Sequence, residues 1–248
     1  MMNEIIFKFY IVGGFVRDKL LGIKSKDVDY SVVLENFNGD ISTAFDLLCK
    51  YLDQHNYIIF LKTPECYTIR AKDGQTNDVA DFVLARKEIG YDENSRKPFV
   101  MPGTLEDDLL RRDFTINALA IDNVTGKIID ICGGLEDLKK RILRTPIDAN
   151  ITLLDDPLRV IRGFRFSITK GLKLDNTFMA ALLNDEIWIK FSKVVSSERI
   201  RDELDRMFQG NTIKTIEILN KLKEINNNAY EIIFKNITLK PIVRTSRN

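Results

Sequence analysis

The chain has 248 residues, 44% of them hydrophobic, enough for one large or two small domains with a substantial core. Its 37 basic and 36 acidic side chains leave a formal charge of +1, so whole-chain charge announces no polyanionic partner and only local clustering can. A single histidine, His55, excludes multi-histidine metal centres, and the three scattered cysteines Cys49, Cys66 and Cys132 argue against a disulfide framework or zinc cluster and predict a reducing, cytoplasmic setting.

In chain order, "FKFYIV" at 7–12 predicts a strand. The apolar N-terminal run is broken by Lys8 and lacks a small-residue cleavage site, so a strand is expected there and no signal peptide. Gly13-Gly14 then turns the chain into a short helix, "FVRDKLLG", closed by Gly22. A second strand, "VDYSVVL", precedes a helix over 40–54 with Asp40 or Ser42 near its start. "CYTIRA" and "VADFVLAR" flank "KDGQTN", whose Asp-Gly pair signals a hairpin. Tyr91 to Gly103 is polar, has two prolines and no periodicity, and reads as a mobile loop.

After it "TLEDDLLRRDFTINALAI" reads as helical, followed by a strand "GKIIDIC" and a helix "LEDLKKRIL". Beyond about residue 145 the pattern is all helix: "DDPLRVIRGFRFSI", "NTFMAALLN", "SSERIRDELDRMFQG" and "NTIKTIEILNKLKEI". The expected fold is α+β: a head over 1–145 with a small mixed or antiparallel sheet, then an all-helical part over 146–248. No segment approaches the roughly 20 apolar residues that span a bilayer, so no membrane partner is expected.

Strand alternation puts Asp27 and Asp29 on one face with Ser31, and Val28, Tyr30 and Val32 on the other. Two carboxylates side by side repel unless a cation neutralises them, and two Mg²⁺ ions about 3.5–4 Å apart do so while clamping the oxygens of a phosphoryl transfer. The plain alternative is a strand end with both groups in water. Asp81, in the apolar "VADFVLAR", is the expected third ligand; Asp78 competes, but it sits where a turn residue would. Gly13-Gly14, between a strand and a helix, leaves backbone N–H groups open to an anion, and Arg17 one turn on adds a charged fork; by itself the pair is also what a tight turn needs.

Arg111 and Arg112 suit either a solvated, ion-paired face or a triphosphate clamp, with Asp113 and Asn117 available to sugar hydroxyls. Further on, Asp156, Arg159 and Arg162 fall on one helical side, while Val160, Ile161, Phe164 and Ile168 gather on the other and should bury. Asp156 and Arg159, one turn apart, offer both acceptors and donors to a base edge, or else form a surface ion pair. From Lys139 to Lys173 there are nine Lys/Arg against three Asp/Glu, a local footprint for triphosphate and RNA.

Taken together, "VGGFVRDKLLG", "DVDY", "LEDDLLRRDFTINALA", "DICGGLEDLKKRILR" and "DDPLRVIRGFRF" resemble, in order and spacing over residues 10–208, the bacterial-type CCA-adding enzyme and poly(A) polymerase family of class II template-independent nucleotidyltransferases. The resemblance implies a nucleotidyltransferase head and helical neck that add nucleotides from CTP and ATP to an RNA 3′ end, foremost that of tRNA, with Mg²⁺. It assigns Asp27 and Asp29 to the metal, with Asp81 the less secure third match. It assigns Gly14, Arg17, Arg112, Arg162 and Arg165 to the incoming nucleotide, Asp113 to its sugar, and Asp156 with Arg159 to base-like recognition of CTP or ATP; Gly13 and Asn117 join the nucleotide site on the residue reading above. Residues 91–103 resemble the family's flexible loop. Asp155 stands where many relatives carry Glu.

Family members continue into body and tail domains that grip the tRNA elbow, whereas this sequence ends about forty residues after "SERIRDELDRMFQG", so a dimer or an accessory protein is one way RNA selection would be supplied. With one histidine, a histidine-rich phosphohydrolase domain is not expected. CCA addition or repair is the first reading; poly(A) synthesis, partial CC or A addition, and a catalytically silent RNA-binding relative are the alternatives.

Overall fold

A computed structural model describes residues 4–24, 28–91, 98–235 and 237, and it divides into two compact units, Met1–Thr152 and Leu153–Asn248.

In the first unit the strands are β1 (Ile6–Val12), β2 (Val28–Glu35), β3 (Tyr57–Thr63), β4 (Thr68–Asp73), β5 (Val79–Leu84), β8 (Leu119–Asp122) and β9 (Ile128–Asp130). They form one seven-stranded sheet in the order β3-β4-β5-β2-β1-β8-β9. It is mixed: β2 and β5 run parallel, and the other pairs are antiparallel. The β4–β5 hairpin forms across "KDGQTN", with Asp73 Oδ1 accepting from the backbone N–H groups of Gln75 and Thr76.

One face of the sheet is covered by α2 (Ile41–Gln54), started by Asp40, whose carboxylate accepts from the Thr43 N–H at 2.9 Å. Ile41, Ala44, Phe45, Leu48, Cys49 and Leu52 recur at helical spacing and are buried. They pack on Val32, Ile69, Ala71, Phe82 and Leu84 of the sheet. Full burial of such side chains contributes about 1.5–3 kcal/mol each, so this layer is a substantial source of the unit's stability. The short helix α1 (Gly14–Leu20) ends as expected, with Gly22 at φ +70° and the Ile23 N–H reaching back to the Asp18 carbonyl.

Two expectations fail here. Residues 98–102 are not loop: β6 (Arg86–Tyr91) and β7 (Pro98–Pro102) pair as an antiparallel ribbon, with the prolines at the strand's two ends. The rest of the expected mobile loop, 92–97, lies outside the described residues. The stretch 104–121 is not one helix. It contains α3 (Leu105–Leu110), a 3₁₀ turn Thr115–Asn117 and then β8. Thr104 and Asp107 cap α3 reciprocally. Phe114, Ile116 and Ala118 to Ile121 are then buried on every side, and a run apolar all round carries no period by which helix and buried strand could be told apart. A last short helix with a polar first turn, α4 (Gly134–Lys140), follows β9.

The helix α5 (Ala149–Asp155) spans the boundary between the units. The second unit holds α6 (Arg159–Lys170), α7 (Asn176–Ala181), α8 (Asp185–Val194), α9 (Ser197–Gly210), α10 (Thr212–Ile225) and α11 (Asn227–Phe234). Four of them begin at side-chain caps: Asp175, Asn184, Asn211 and Asn226 each accept from a backbone N–H two or three residues on. The core contains Phe164, Phe178, Trp188, Phe191, Leu204 and Met207. Trp188 satisfies its indole N–H on the Leu182 carbonyl at 2.8 Å.

Candidate active site

The β2–β5 pairing sets Asp29 directly beside Asp81, while Asp78 lies before β5, in the hairpin turn. On the other flank of β2, Asp29 is in register with Val12, the last residue of β1. The chain then passes through Gly13, at φ +72° and ψ −138°, a conformation that costs any other residue on the order of 1–3 kcal/mol. A β-carbon on Gly13 would stand 3.1 Å from Arg112 Nη1 and 3.7 Å from Asp29 Oδ2. Strand end, carboxylate and guanidinium thus converge on a bare stretch of backbone. Asp27 lies outside the described residues.

Arg112 is held from behind. Asp108, on α3 and 1% exposed, accepts from Arg112 Nη2 at 2.9 Å and also from Arg111. Burial pushes the Asp108 carboxyl up, but the two guanidiniums more than reverse this and hold it well below the ordinary carboxylate range. Arg112 Nη1 also approaches the Asn117 carbonyl at 3.4 Å.

A second chain of bonds runs through Arg17, 6% exposed. Its Nη1 donates to Asn117 Oδ1 at 2.6 Å, and Nε and Nη2 donate to the two oxygens of Asp18 at 2.9 Å. Asn117 Nδ2 in turn donates to Asp113 Oδ1 at 2.9 Å, which also accepts from the Phe114 N–H. Arg17 is therefore a buried bracket tying α1 to the 3₁₀ turn, a more structural place than the open phosphate fork expected of it. Gly14 lies against that bracket, since a β-carbon there would stand 3.4 Å from Arg17 Nη2, an ordinary contact.

In the second unit, Val160, Ile161, Phe164 and Ile168 are buried as the pattern predicts. Asp156 is not on the helix. It precedes α6, and its Oδ1 accepts from the Leu158 N–H at 3.2 Å while the Arg159 N–H bonds to its carbonyl. Pro157 and the turn at 157–158 separate it from the first helical residue, which the periodicity did not register. Arg165 donates to Glu203 of α9, and Arg162 lies 3.8 Å from the same carboxylate, which is buried. Asp108 and Glu203 are the partners that the sequence reading omits. The signal for Asp108 was present, since an acid three and four residues before two arginines is helix-neighbour spacing; Glu203, 38 residues from Arg165, gave none.

Asp29 and Asp81 are hard oxygen donors on adjacent strands, and Asp81 Oδ1 is 3.6 Å from Arg70 Nε. That donor chemistry fits a hard divalent cation. Among the described residues no group of three acidic, Cys or His side chains forms a metal cluster.

A strand-to-helix glycine turn beside strand carboxylates, backed by a buried arginine network, defines a nucleotidyltransferase type of head. The sequence profile of the poly A polymerase head domain matches residues 9–144, and the chain belongs to that family. Over 236 residues it is 35% identical to "tRNA nucleotidyltransferase cca2" of Schizosaccharomyces pombe, a match covering 90% of this chain and 47% of that protein. With the mitochondrial "CCA tRNA nucleotidyltransferase" of Saccharomyces cerevisiae it shares 37% identity over 82% of this chain and 38% of that one. The solved "Thermotoga maritima CCA-adding enzyme complexed with tRNA_CCA" superposes with a TM-score of 0.69 at 26% identity, covering 95% of this chain and 50% of the other. The chain thus spans about half the length, or less, of the relatives it matches. Membership implies a dependence on divalent metal in general. No helix among the described residues is long and apolar enough to cross a membrane.

Proposed function

We propose that this chain transfers CMP and AMP from CTP and ATP to the 3′ end of tRNA, completing or repairing a CCA terminus. The observation that carries the reading is the convergence of Asp29 and Arg112 on the side-chain-free backbone at Gly13, in a chain of this family. The names of its relatives, and the tRNA bound in the Thermotoga maritima structure, support tRNA as the substrate. The 3′-hydroxyl oxygen loses its proton to solvent and forms a bond to the α-phosphorus, the bond from that phosphorus to the α–β bridging oxygen breaks, and pyrophosphate leaves.

Asp29 and Asp81, with Asp27, would hold Mg²⁺, which when bound supplies charge neutralisation and a more acidic attacking hydroxyl. The turn at Gly13 and Gly14 leaves backbone N–H groups to the triphosphate, and Arg112, anchored by Asp108, presents positive charge to it. Arg17 and Asn117 fix the carboxylate of Asp113, the group assigned to the ribose. In the second unit, Asp156 and Arg159 are assigned to the base edge, and Arg162 and Arg165 to the nucleotide. A cytoplasmic place of action is part of the proposal.

Addition of AMP alone is the second reading, favoured by the name of the matching family. The test is to sequence the products formed from a tRNA transcript lacking CCA with CTP, with ATP and with both. CC, then CCA with both nucleotides, is expected. A homopolymeric A tail, with no use of CTP, would overturn the first reading in favour of the second.

A further inference from the structure

The face of the sheet opposite Asp29 and Asp81 carries a cavity of about 320 Å³ that the proposed chemistry does not use. Tyr30 and Phe82, one residue along from the two carboxylates in the same β2–β5 register, lie parallel at 5.1 Å. Tyr57 and Phe9 stand nearly perpendicular to Phe82 at 5.1 and 6.1 Å. Tyr51, stacked on His55 at the end of α2, completes the aromatic lining. Rings set parallel and perpendicular to Phe82 thus border one opening as an aromatic box.

The electrostatics of the box are one-sided. Asp73, at the end of β4, lines it, and the Thr76 and Gln75 N–H groups hold its carboxyl below the ordinary value, so it is ionised at neutral pH. Burial pushes the Tyr30 and Tyr57 hydroxyls up, so both stay neutral. The other polar lining residues are His55, Asn56, Gln75 and Asn123, and neither lysine nor arginine lines the cavity. A phosphate-bearing ligand would find the Asp73 carboxylate in the lining and no lysine or arginine to offset it. Ring faces carry the negative end of the aromatic quadrupole and attract cations.

We infer that this box is a binding site for an alkylated ammonium ion, taken between the rings of Tyr30, Tyr57 and Phe9 with Asp73 as its counter-charge. Two sources share that chemistry, a free choline-like small molecule and a methylated lysine side chain.

The full chain would be titrated, by ligand-observed NMR, with choline, with its neutral isostere 3,3-dimethylbutan-1-ol and with a trimethyl-lysine peptide. Choline should bind at least about tenfold more tightly than the isostere, the advantage expected of a desolvated cation–π site. Tighter binding of the peptide than of choline identifies the protein source, and the reverse identifies the small molecule. Tyr57→Leu should weaken choline binding several-fold. Asp73→Asn keeps an oxygen for the hairpin turn, so it removes charge with the fold intact, and it should weaken choline but not the isostere. Absence of choline binding into the high millimolar range, equal affinity for the isostere, or unchanged binding in Asp73→Asn would overturn the site.

Discussion

Asp29 and Asp108 are both carboxylates beside Arg112, yet their work differs. Asp29 faces the glycine turn, whereas Asp108 is buried behind the arginine and touches no site a substrate would fill. Asp29→Asn should therefore cost on the order of 10³-fold in kcat with little change in melting temperature, the size expected when a metal platform is lost. Asp108→Asn leaves two half-buried guanidiniums short of charge, so it should destabilise by about 1–3 kcal/mol and raise KM for the nucleotide more than it lowers kcat. Urea denaturation and steady-state kinetics on the two variants check both. Because the Asp108 carboxyl is depressed on folding, its contribution is complete above the ordinary aspartate range near about 3.9 and is lost only as pH falls through its lower folded value. A fall in activity between pH 8 and pH 5 would point to another group.

Among the elements, the α6–α9 pair shows how a cationic face is kept in order. Arg162 and Arg165 would repel each other on a bare helix, and Glu203 from α9 sits between them. Glu203→Gln should lower the stability of the second unit by about 1–3 kcal/mol, read as an earlier denaturation of Trp188 fluorescence. Should that signal hold its midpoint, the carboxylate is not what orders the two arginines.

What the sequence disclosed follows the same physics. β1, β2, β4, β5 and α2 were legible because alternation or helical spacing coincides with one buried face. The edge strand β3 was not, since Ile58, Phe60 and Leu61 are exposed and no alternation survives. The helices α8 and α11 escaped although Asn184 and Asn226 cap them, because their apolar stripes are short. Of the site, the glycine turn and Asp29 stand out by being unsuited to a strand, whereas the reach of Arg17 to Asn117, 100 residues away, is written in no local pattern.

Over the whole molecule, thiol chemistry gives a check on both packing and charge. Cys49 is part of the α2 core, and burial beside Asp130 and Glu106 pushes the Cys132 thiol up to about 11, so at neutral pH it stays protonated. Cys66 alone of the three is exposed. A limiting dose of iodoacetamide at pH 7.5 should label Cys66 first, the half-buried Cys132 slowly because its thiol stays protonated, and Cys49 only as the fold opens; equal labelling by peptide mass spectrometry would contradict the burial of Cys49 and the raised Cys132 thiol.

The parallel pairing of β2 with β5 has one more implication. Parallel neighbours cannot be joined by a tight turn, so α2, β3 and β4 must all be laid down before Asp81 can reach Asp29. Closing so distant a pair is entropically slow, and a nascent chain with only its first eighty residues out has one acid without its mate. The two acids thus meet only once the central sheet has closed, and until then neither has the neighbour with which it would share a cation.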